Sequence, residues 1–323
     1  MLTKRLYRAR PPITLHTSGT IDPGSYIPLQ DIPYNASSSL FDDFTLVHNI
    51  LNDYIHQTGF FFPWHRLFVW HFEQTLIHQC HYTGSAPYWN WTLDSDDLGH
   101  SYLLTNSDPN IGFGNFGDEA HQQEVIDGAL ANFSLSYPYP HLLRREYFPY
   151  PWKNLTPPWF TDPTLKVKDV ISIDGISETI NGFRGDFREF QTHFERMQGP
   201  HMGVHLALGG DIGGFCIWGK PFCDSLSYGN PGTSPSEPLF WLHHGFIDKI
   251  WHDWQNMRAE NKFAFGGGSK REIAPEVWPK YPIGAPPDLT PDFPLPSVGF
   301  LPSGLTVKDV LDTTNDILCY TYE

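Results

Sequence analysis

The stretch His56-Gln57-Thr58-Gly59-Phe60-Phe61-Phe62-Pro63-Trp64-His65-Arg66 decides how this chain is read. It sets a histidine, a glycine and a proline between two runs of helical spacing. Before it, from Phe41 on, Phe44, Val47, Leu51 and Ile55 recur at helical intervals, and Gly59 ends the element. After it, Leu67, Phe68, Phe72 and Leu76 share one side of a second helix running from about Trp64 to Cys80. Pro63 sits just ahead of that helix, where a helix start tolerates proline. Three histidines ride on these two elements: His48, His56 eight residues later, and His65. Eight residues at about 100° each give about 800°, or about 80° off register. His48 and His56 therefore face one point only if His56 lies at or past the helix end, which nearby Gly59 allows.

Outward from this stretch, residues 1–40 carry Pro and Ser without a sustained period and read as an irregular N-terminal arm. Residues 84–165 are rich in loops. A third helix is predicted over Phe187 to Met197, and a short fourth carries His201 to Leu206. Residues 209–238 form a Gly-, Pro- and Ser-rich loop. A fifth helix, from about Leu239 to Glu260, shows Phe240, His244, Ile247, Trp251 and Trp254 in phase. The proline-rich tail 274–303 is expected to wrap the surface, with a short strand or two near 305–322. No internal repeat and no dividing linker is present, so residues 41–323 read as a single domain, the alternative being that the proline-rich tail begins a small second lobe; no C-terminal lid domain is expected.

The 323 residues are 40% hydrophobic and 18% charged, enough apolar material for a sizeable core. With 11 Trp, 28 Gly and 29 Pro, that core is aromatic and threaded by irregular loops. The net charge of −15 argues against nucleic acid or an anionic membrane as partner, because both need a basic face. No apolar run reaches the roughly 18 residues of a spanning helix. Four cysteines are enough for two bridges. Cys216 and Cys223, seven apart in a loop, are the natural local pair, whereas spacing says nothing about Cys80 and Cys319. Sequons at Asn35, Asn90, Asn132 and Asn154 point to a secreted glycoprotein. Asn90, inside Tyr88-Trp89-Asn90-Trp91, is expected to be too buried to carry a glycan. The opening residues MLTKRLYRAR are basic but lead into no apolar segment, so no signal peptide is read there.

The chemistry lies among the 16 histidines. His201 and His205 are i and i+4, hence on one helix face. His244 has Asp248 one turn later, where a carboxylate can accept one ring N–H and leave the other nitrogen free for metal. His243 is about 100° round the helix from His244 and is expected to point elsewhere. Imidazole suits zinc, copper, iron and nickel. Zinc hydrolases need only one set of three histidines, and non-haem iron usually takes a carboxylate. Two all-histidine triads favour a pair of copper ions. His16, His71, His78, His81, His100, His121, His141 and His252 read as ordinary surface or satisfied residues. Phe60, Phe61, Phe62, Trp64 and Trp70 read mostly as core around the first triad, and Arg66 and Glu73 as an ion pair or as support for the ligands.

At these residues the sequence resembles the tyrosinase / catechol oxidase (polyphenol oxidase) family of type-3 dicopper proteins. The first motif is His56 followed by Phe61-Phe62-Pro63-Trp64-His65-Arg66, with Glu73 beyond. The second is Glu237-Pro238-Leu239-Phe240-Trp241-Leu242-His243-His244, leading to Asp248, with Glu237 where the family has Asp. Cys80, Tyr82 and Gly84 before Pro87-Tyr88-Trp89-Asn90-Trp91, and the closing Tyr320-Thr321-Tyr322, add to the likeness. The gap between His48 and His56 looks most like the short fungal branch. Tyr54 stands near where many members carry a cysteine thioether-linked to histidine, so that link is not expected here.

The resemblance implies a mainly α fold, a four-helix bundle holding a dicopper site, with long irregular loops and a few short strands. It implies copper A on His48, His56 and His65, and copper B on His201, His205 and His244. The implied reaction oxidises o-diphenols to o-quinones and reduces the co-substrate O2 to water. Glu195, six residues before His201, is the candidate to hold a water near copper B. Met202 and Leu206, directly after the first two copper B histidines, give an apolar rim suited to gripping a small phenol but poor at activating its proton. Catechol oxidation is therefore expected. Tyrosinase action on monophenols, a haemocyanin-like O2 carrier and a zinc hydrolase are the alternatives. The expected state is a monomer or small oligomer.

Overall fold

The computed structural model describes residues 35, 38–153, 162–214, 231–272, 274 and 276–323. Its chain is mainly helical. Helix α1, Leu40–Ile55, begins with a reciprocal cap. The Ser39 hydroxyl accepts from the Asp42 amide at 3.1 Å, and the Asp42 carboxylate accepts from the Ser39 amide at 2.8 Å. The same carboxylate takes the Ser136 amide at 2.9 Å, which ties α1 to a small hairpin. There β1 (Ser134–Leu135) pairs antiparallel with β2 (His141–Leu142).

α1 ends at His56, whose backbone is extended (φ −121°, ψ 140°), and α2 follows as Phe61–Cys80. The expected start near Trp64 comes one turn earlier, and Pro63 falls in the first turn, where no intrahelical N–H is needed. The corner between the helices is braced by a second hairpin, β3 (Gly268–Lys270) against β4 (Ala285–Asp288). The Gly59 amide donates to the Gly268 carbonyl at 3.0 Å. A Cβ at position 59 would stand 2.7 Å from the Gly266 carbonyl oxygen, so only glycine fits this approach.

α3 (Ile173–Asn181) was not expected from the sequence; the Ser172 hydroxyl caps it on the Gly175 amide at 3.2 Å. Then come α4 (Phe187–Glu195), α5 (Pro200–Leu208) and α6 (Leu239–Met257). α4 stops two residues short of the expected Met197, and α6 three short of Glu260. Glu237 is fully buried ahead of α6. Its two carboxylate oxygens take Arg145 Nε at 3.1 Å and Nη2 at 3.0 Å, and one also accepts from the Leu239 amide at 3.2 Å.

The core is aromatic, as its composition requires. The Phe72 and Trp241 rings stack at 3.7 Å, and Phe68 leans on Trp241 at 5.0 Å. Phe62 meets Phe190 at 5.2 Å and Trp251 at 5.3 Å, and Phe190 stacks on Trp254 at 4.5 Å. α2 and α6 are thus joined with α4 by rings, each burying enough apolar surface to contribute about 1.5–3 kcal/mol.

The strands expected near 305–322 do not form. A lone bridge between Pro294 and Thr306 stands there, and Thr306 with Asp309 caps a short 3-10 turn, Val307–Val310, instead. The two residues Pro286 and Pro287 lie in β4 itself, which is possible because each strand of a two-stranded ribbon is an edge. No disulfide joins Cys80, buried at the end of α2, to exposed Cys319. Cys216, Cys223, Asn154 and most of the N-terminal arm fall outside the described residues. Among the described residues no helix is long and apolar enough to cross a membrane.

Candidate metal centre

The first histidine group comes from α1, its end and α2. The ring centroids of His48, His56 and His65 lie 4.9–5.5 Å apart. The register argument is met as the sequence required: His56 caps α1 from an extended backbone, outside the helical phase. Each Nδ1 lies against a carbonyl, His48 on Gly232 at 2.7 Å, His56 on Asn52 at 3.0 Å and His65 on Phe61 at 2.8 Å. A carbonyl only accepts, so Nδ1 carries the proton and Nε2 keeps its lone pair. The Nε2 atoms of His48 and His65 then face each other at 3.4 Å with no proton between them.

The second group repeats this pattern at one of its histidines. His205 Nδ1 is held by the Ile212 carbonyl at 2.7 Å, and its Nε2 faces His244 Nε2 at 3.3 Å. His201 completes the set, its centroid 4.6 Å from His205 and 5.3 Å from His244. Both His201 ring nitrogens, and Nδ1 of His244, are buried without a hydrogen-bond partner among the described residues. Buried, unpartnered nitrogens and lone pairs aimed at one another are costly without a cation. Both groups are spaced to hold a metal ion. Burial pushes His48 down to about 3 and His205 to about 4. It also takes His56, His65, His201 and His244 well below the ordinary imidazole value. All six are neutral at pH 7, the form that binds metal.

The two groups abut. His65 stacks on His244 at 4.6 Å and His56 on His201 at 6.1 Å. Phe61 lies at 4.8 Å from both His65 and His201 and seals one side of the junction.

His243 corrects the sequence expectation. It does not point away: its ring lies 4.9 Å from His205 and within metal-holding distance of the second group. The reason is the reach of the rings: His201 meets both His243, at 5.9 Å, and His244, at 5.3 Å. Yet Trp91 Nε1 donates to His243 Nδ1 at 3.2 Å. A neutral imidazole that accepts at Nδ1 carries its proton on Nε2 and has no second lone pair to give a metal. In this tautomer His243 offers the group no lone pair, which leaves His201, His205 and His244.

Asp248 is a second correction. It takes no proton from His244. Its Oδ1 accepts from Arg66 Nε at 2.6 Å, and its Oδ2 accepts from the Tyr320 hydroxyl and, at 2.6 Å, from the Tyr322 hydroxyl. Arg66 also donates to Gln255 Oε1 at 3.0 Å and lies 3.7 Å over the Trp251 ring. Glu73 is no partner of Arg66 and accepts from the Ala86 amide at 2.6 Å.

Glu195, at the end of α4, is 4% exposed. Its oxygens accept from the Gln57 amide, next to His56, and from Gln191 Nε2 at 2.8 Å. Burial outweighs these bonds and pushes its carboxyl up to about 8. Half-buried Met202 and buried Leu206 pack around Trp152. The tail braces the metal helices: the Pro296 carbonyl accepts from Trp64 Nε1 at 2.9 Å, and the Val310 carbonyl from Arg66 at 2.9 Å.

Residues 38–257 match the family model described as the common central domain of tyrosinase. Among characterised relatives, a tyrosinase-like protein (phomQ1) of Diaporthe leptostromiformis is 27% identical over 308 residues, covering 90% of this chain and 70% of its own. An oxidase (hkm6) of Aspergillus hancockii is 29% identical over 311 residues, covering 87% and 99%. A solved polyphenol oxidase from Thermothelomyces thermophila superposes with a TM-score of 0.63 at 24% identity, over 88% of this chain and 78% of that one, and so shares the fold. With two histidine groups held between four helices and the central domain matched across them, the chain belongs to the tyrosinase family.

Proposed function

We propose that this family oxidase is a catechol oxidase: it oxidises o-diphenols to o-quinones with O2 at two copper ions, one on His48, His56 and His65 and one on His201, His205 and His244. The observation that carries the reading is the facing pair of His48 and His65 Nε2 atoms, neutral, buried and with both protons held on Nδ1, together with the buried, unpartnered ring nitrogens of His201 in the second group. Six imidazoles and no carboxylate suit copper better than calcium or magnesium, which take oxygen, or non-haem iron, which usually takes a carboxylate. Copper, when bound, supplies the electron transfer between the diphenol and O2.

The protein's part is to bind, orient and move protons. Four carbonyl contacts fix the tautomers of His48, His56, His65 and His205, each leaving Nε2 free of its proton. Phe61 keeps water from the junction. Glu195, with its carboxyl near 8, exchanges a proton close to neutrality and is placed beside Gln57 to take one from an incoming phenol through water. Met202 and Leu206 present apolar side chains beside the copper B ligands. Their packing on Trp152 supports a fixed apolar wall there.

Copper content per chain with O2 uptake on 4-tert-butylcatechol tests the proposal. Two ions per chain and one O2 consumed per two quinones formed are expected. Reversible O2 binding without quinone would place the chain with O2 carriers, and zinc in place of copper would end the oxidase reading. Secretion and glycosylation are part of the same proposal and rest on the sequons; a mobility shift after glycosidase treatment of the native protein tests them. The monomer or small oligomer is tested by sizing.

A further inference from the structure

His141 lies outside every motif used above, and from its sequence it is an ordinary satisfied histidine. The structure gives it an unusual pair of partners. Its Nδ1 is 2.6 Å from the Tyr139 carbonyl and its Nε2 is 2.8 Å from Asp211 Oδ1, with both side chains of the pair about 95% buried (6% and 4% exposed). Both partners accept and neither donates. A neutral imidazole has one N–H and satisfies one of them; only the imidazolium satisfies both.

Asp211 belongs to the turn that follows α5. Its other oxygen accepts from the Arg144 amide at 2.7 Å, and its own amide donates to the Arg144 carbonyl at 3.0 Å. Gly210 lets the turn press onto this segment with φ +49°; a Cβ there would stand 2.1 Å from the Arg144 carbonyl oxygen. The next residue, Ile212, is fully buried, and its carbonyl is the one that holds His205 Nδ1. One turn thus carries the His141 ion pair on one residue and the anchor of a metal-facing histidine on the next.

We propose that His141 is a positioning residue for the second metal group: held as an imidazolium between Tyr139 and Asp211, it locks the turn whose Ile212 carbonyl orients His205. The inference rests on the reading of His205 as a metal ligand. The charged groups that face His141 are Asp211 and Arg144, whose Nη2 lies 3.9 Å from the same Asp211 oxygen. Burial alone lowers the His141 value and Arg144 opposes its charge, but the Asp211 carboxylate outweighs both, and the group titrates above the ordinary imidazole range. Burial raises Asp211, but His141 and Arg144 bring it below the usual carboxylate range. The sign follows. The contribution is complete below the ordinary imidazole value of about 6.5 and is lost as pH rises through the raised value.

The test has two arms. In copper-free protein, long-range nitrogen–proton NMR at pH 6 should show that the histidine signal removed by His141→Gln is protonated at both ring nitrogens. A neutral pattern for residue 141 at pH 6 overturns the proposal. In the copper-loaded protein, chelator competition should show His141→Gln weakening one of the two ions about 10- to 100-fold at pH 6, the range for loss of a residue that supports a ligand. The other ion should be unchanged, and the gap from wild type should narrow as pH rises through the His141 titration. Equal weakening of both ions, or of neither, overturns the proposal alone. A chain that binds no copper overturns the metal reading along with it. If His141→Gln does not fold, Asp211→Asn takes its place in the competition, with the same expected one-ion loss.

Discussion

Arg66 Nε and Asp248 Oδ1 lie 2.6 Å apart with both side chains buried, and they join the residue after His65 on α2 to the residue one turn after His244 on α6. The pair crosses from one histidine group to the other. Acceptors surround Nη1 of the guanidinium, and two tyrosine hydroxyls donate to the remaining carboxylate oxygen. A buried pair is costly to break from one side, because the survivor keeps its charge without its partner.

Arg66→Ala is therefore expected to destabilise the copper-free protein by about 3–5 kcal/mol in urea unfolding. Replacing the hydroxyls in Tyr320→Phe with Tyr322→Phe should cost less, on the order of 1–3 kcal/mol each, the penalty for a buried acceptor losing a donor. An Arg66→Ala midpoint equal to wild type would show that the pair contributes nothing to the joint between α2 and α6.

The Trp91 bond to His243 separates two adjacent histidines. His244→Ala should lose one of two copper ions and most oxidase activity, as should His65→Ala. His243→Ala should keep both ions. Metal analysis after dialysis decides it, and loss of an ion from His243→Ala would exchange the roles of the pair.

Glu195 gives a pH dependence with a definite sign. Its folded value, about 8, is raised above the ordinary 4.5. A raised carboxyl costs stability where it must ionise, so the penalty is absent below 4.5 and grows as pH rises toward 8. Glu195→Gln removes it. The unfolding free energy of the copper-free variant should gain on wild type by up to about 1.4 kcal/mol per pH unit across that window. A gap that does not change between pH 5 and 8 would show that the carboxyl is ionised without cost. The same variant should turn over catechol more slowly.

Met202 bears on the choice of phenol. Initial rates on L-DOPA should far exceed those on tyrosine. Met202→Asn, which puts a hydrogen-bonding side chain beside copper B, should raise the tyrosine rate and leave the catechol rate nearly the same. Similar wild-type rates on the two substrates would overturn the catechol oxidase assignment.

What was legible in the sequence was local. α1, α2, α5 and α6 announce themselves by apolar spacing, by Gly59 and by Pro63, and the position of His56 past the helix end followed from counting degrees. The misses are all long-range or short of pattern. Asp248 is spaced to serve His244, but its true partner, Arg66, lies 182 residues away, and no spacing rule reaches that far. His243 was placed by the phase of its own helix, whereas the rings of His201 and His205 on α5 decide what it meets. α3 contains Gly175 and only nine residues, too few for a period to stand out. The prolines of β4 argued against a strand, and only the partner strand shows why they are tolerated. His141 could not be told from other histidines until Asp211, 70 residues on, was seen against it.

Gly59 sets a rule about how this chain can vary. Its neighbour is a backbone carbonyl, which cannot rotate away as a side chain would, so even alanine requires the β3–β4 hairpin to withdraw from the corner that turns His56 toward His65. In a line of descendants, position 59 has an alphabet of one letter, while the loops around it are free to drift. A substitution there would enter only together with a change in the hairpin, and the two positions would have to be inherited as a pair.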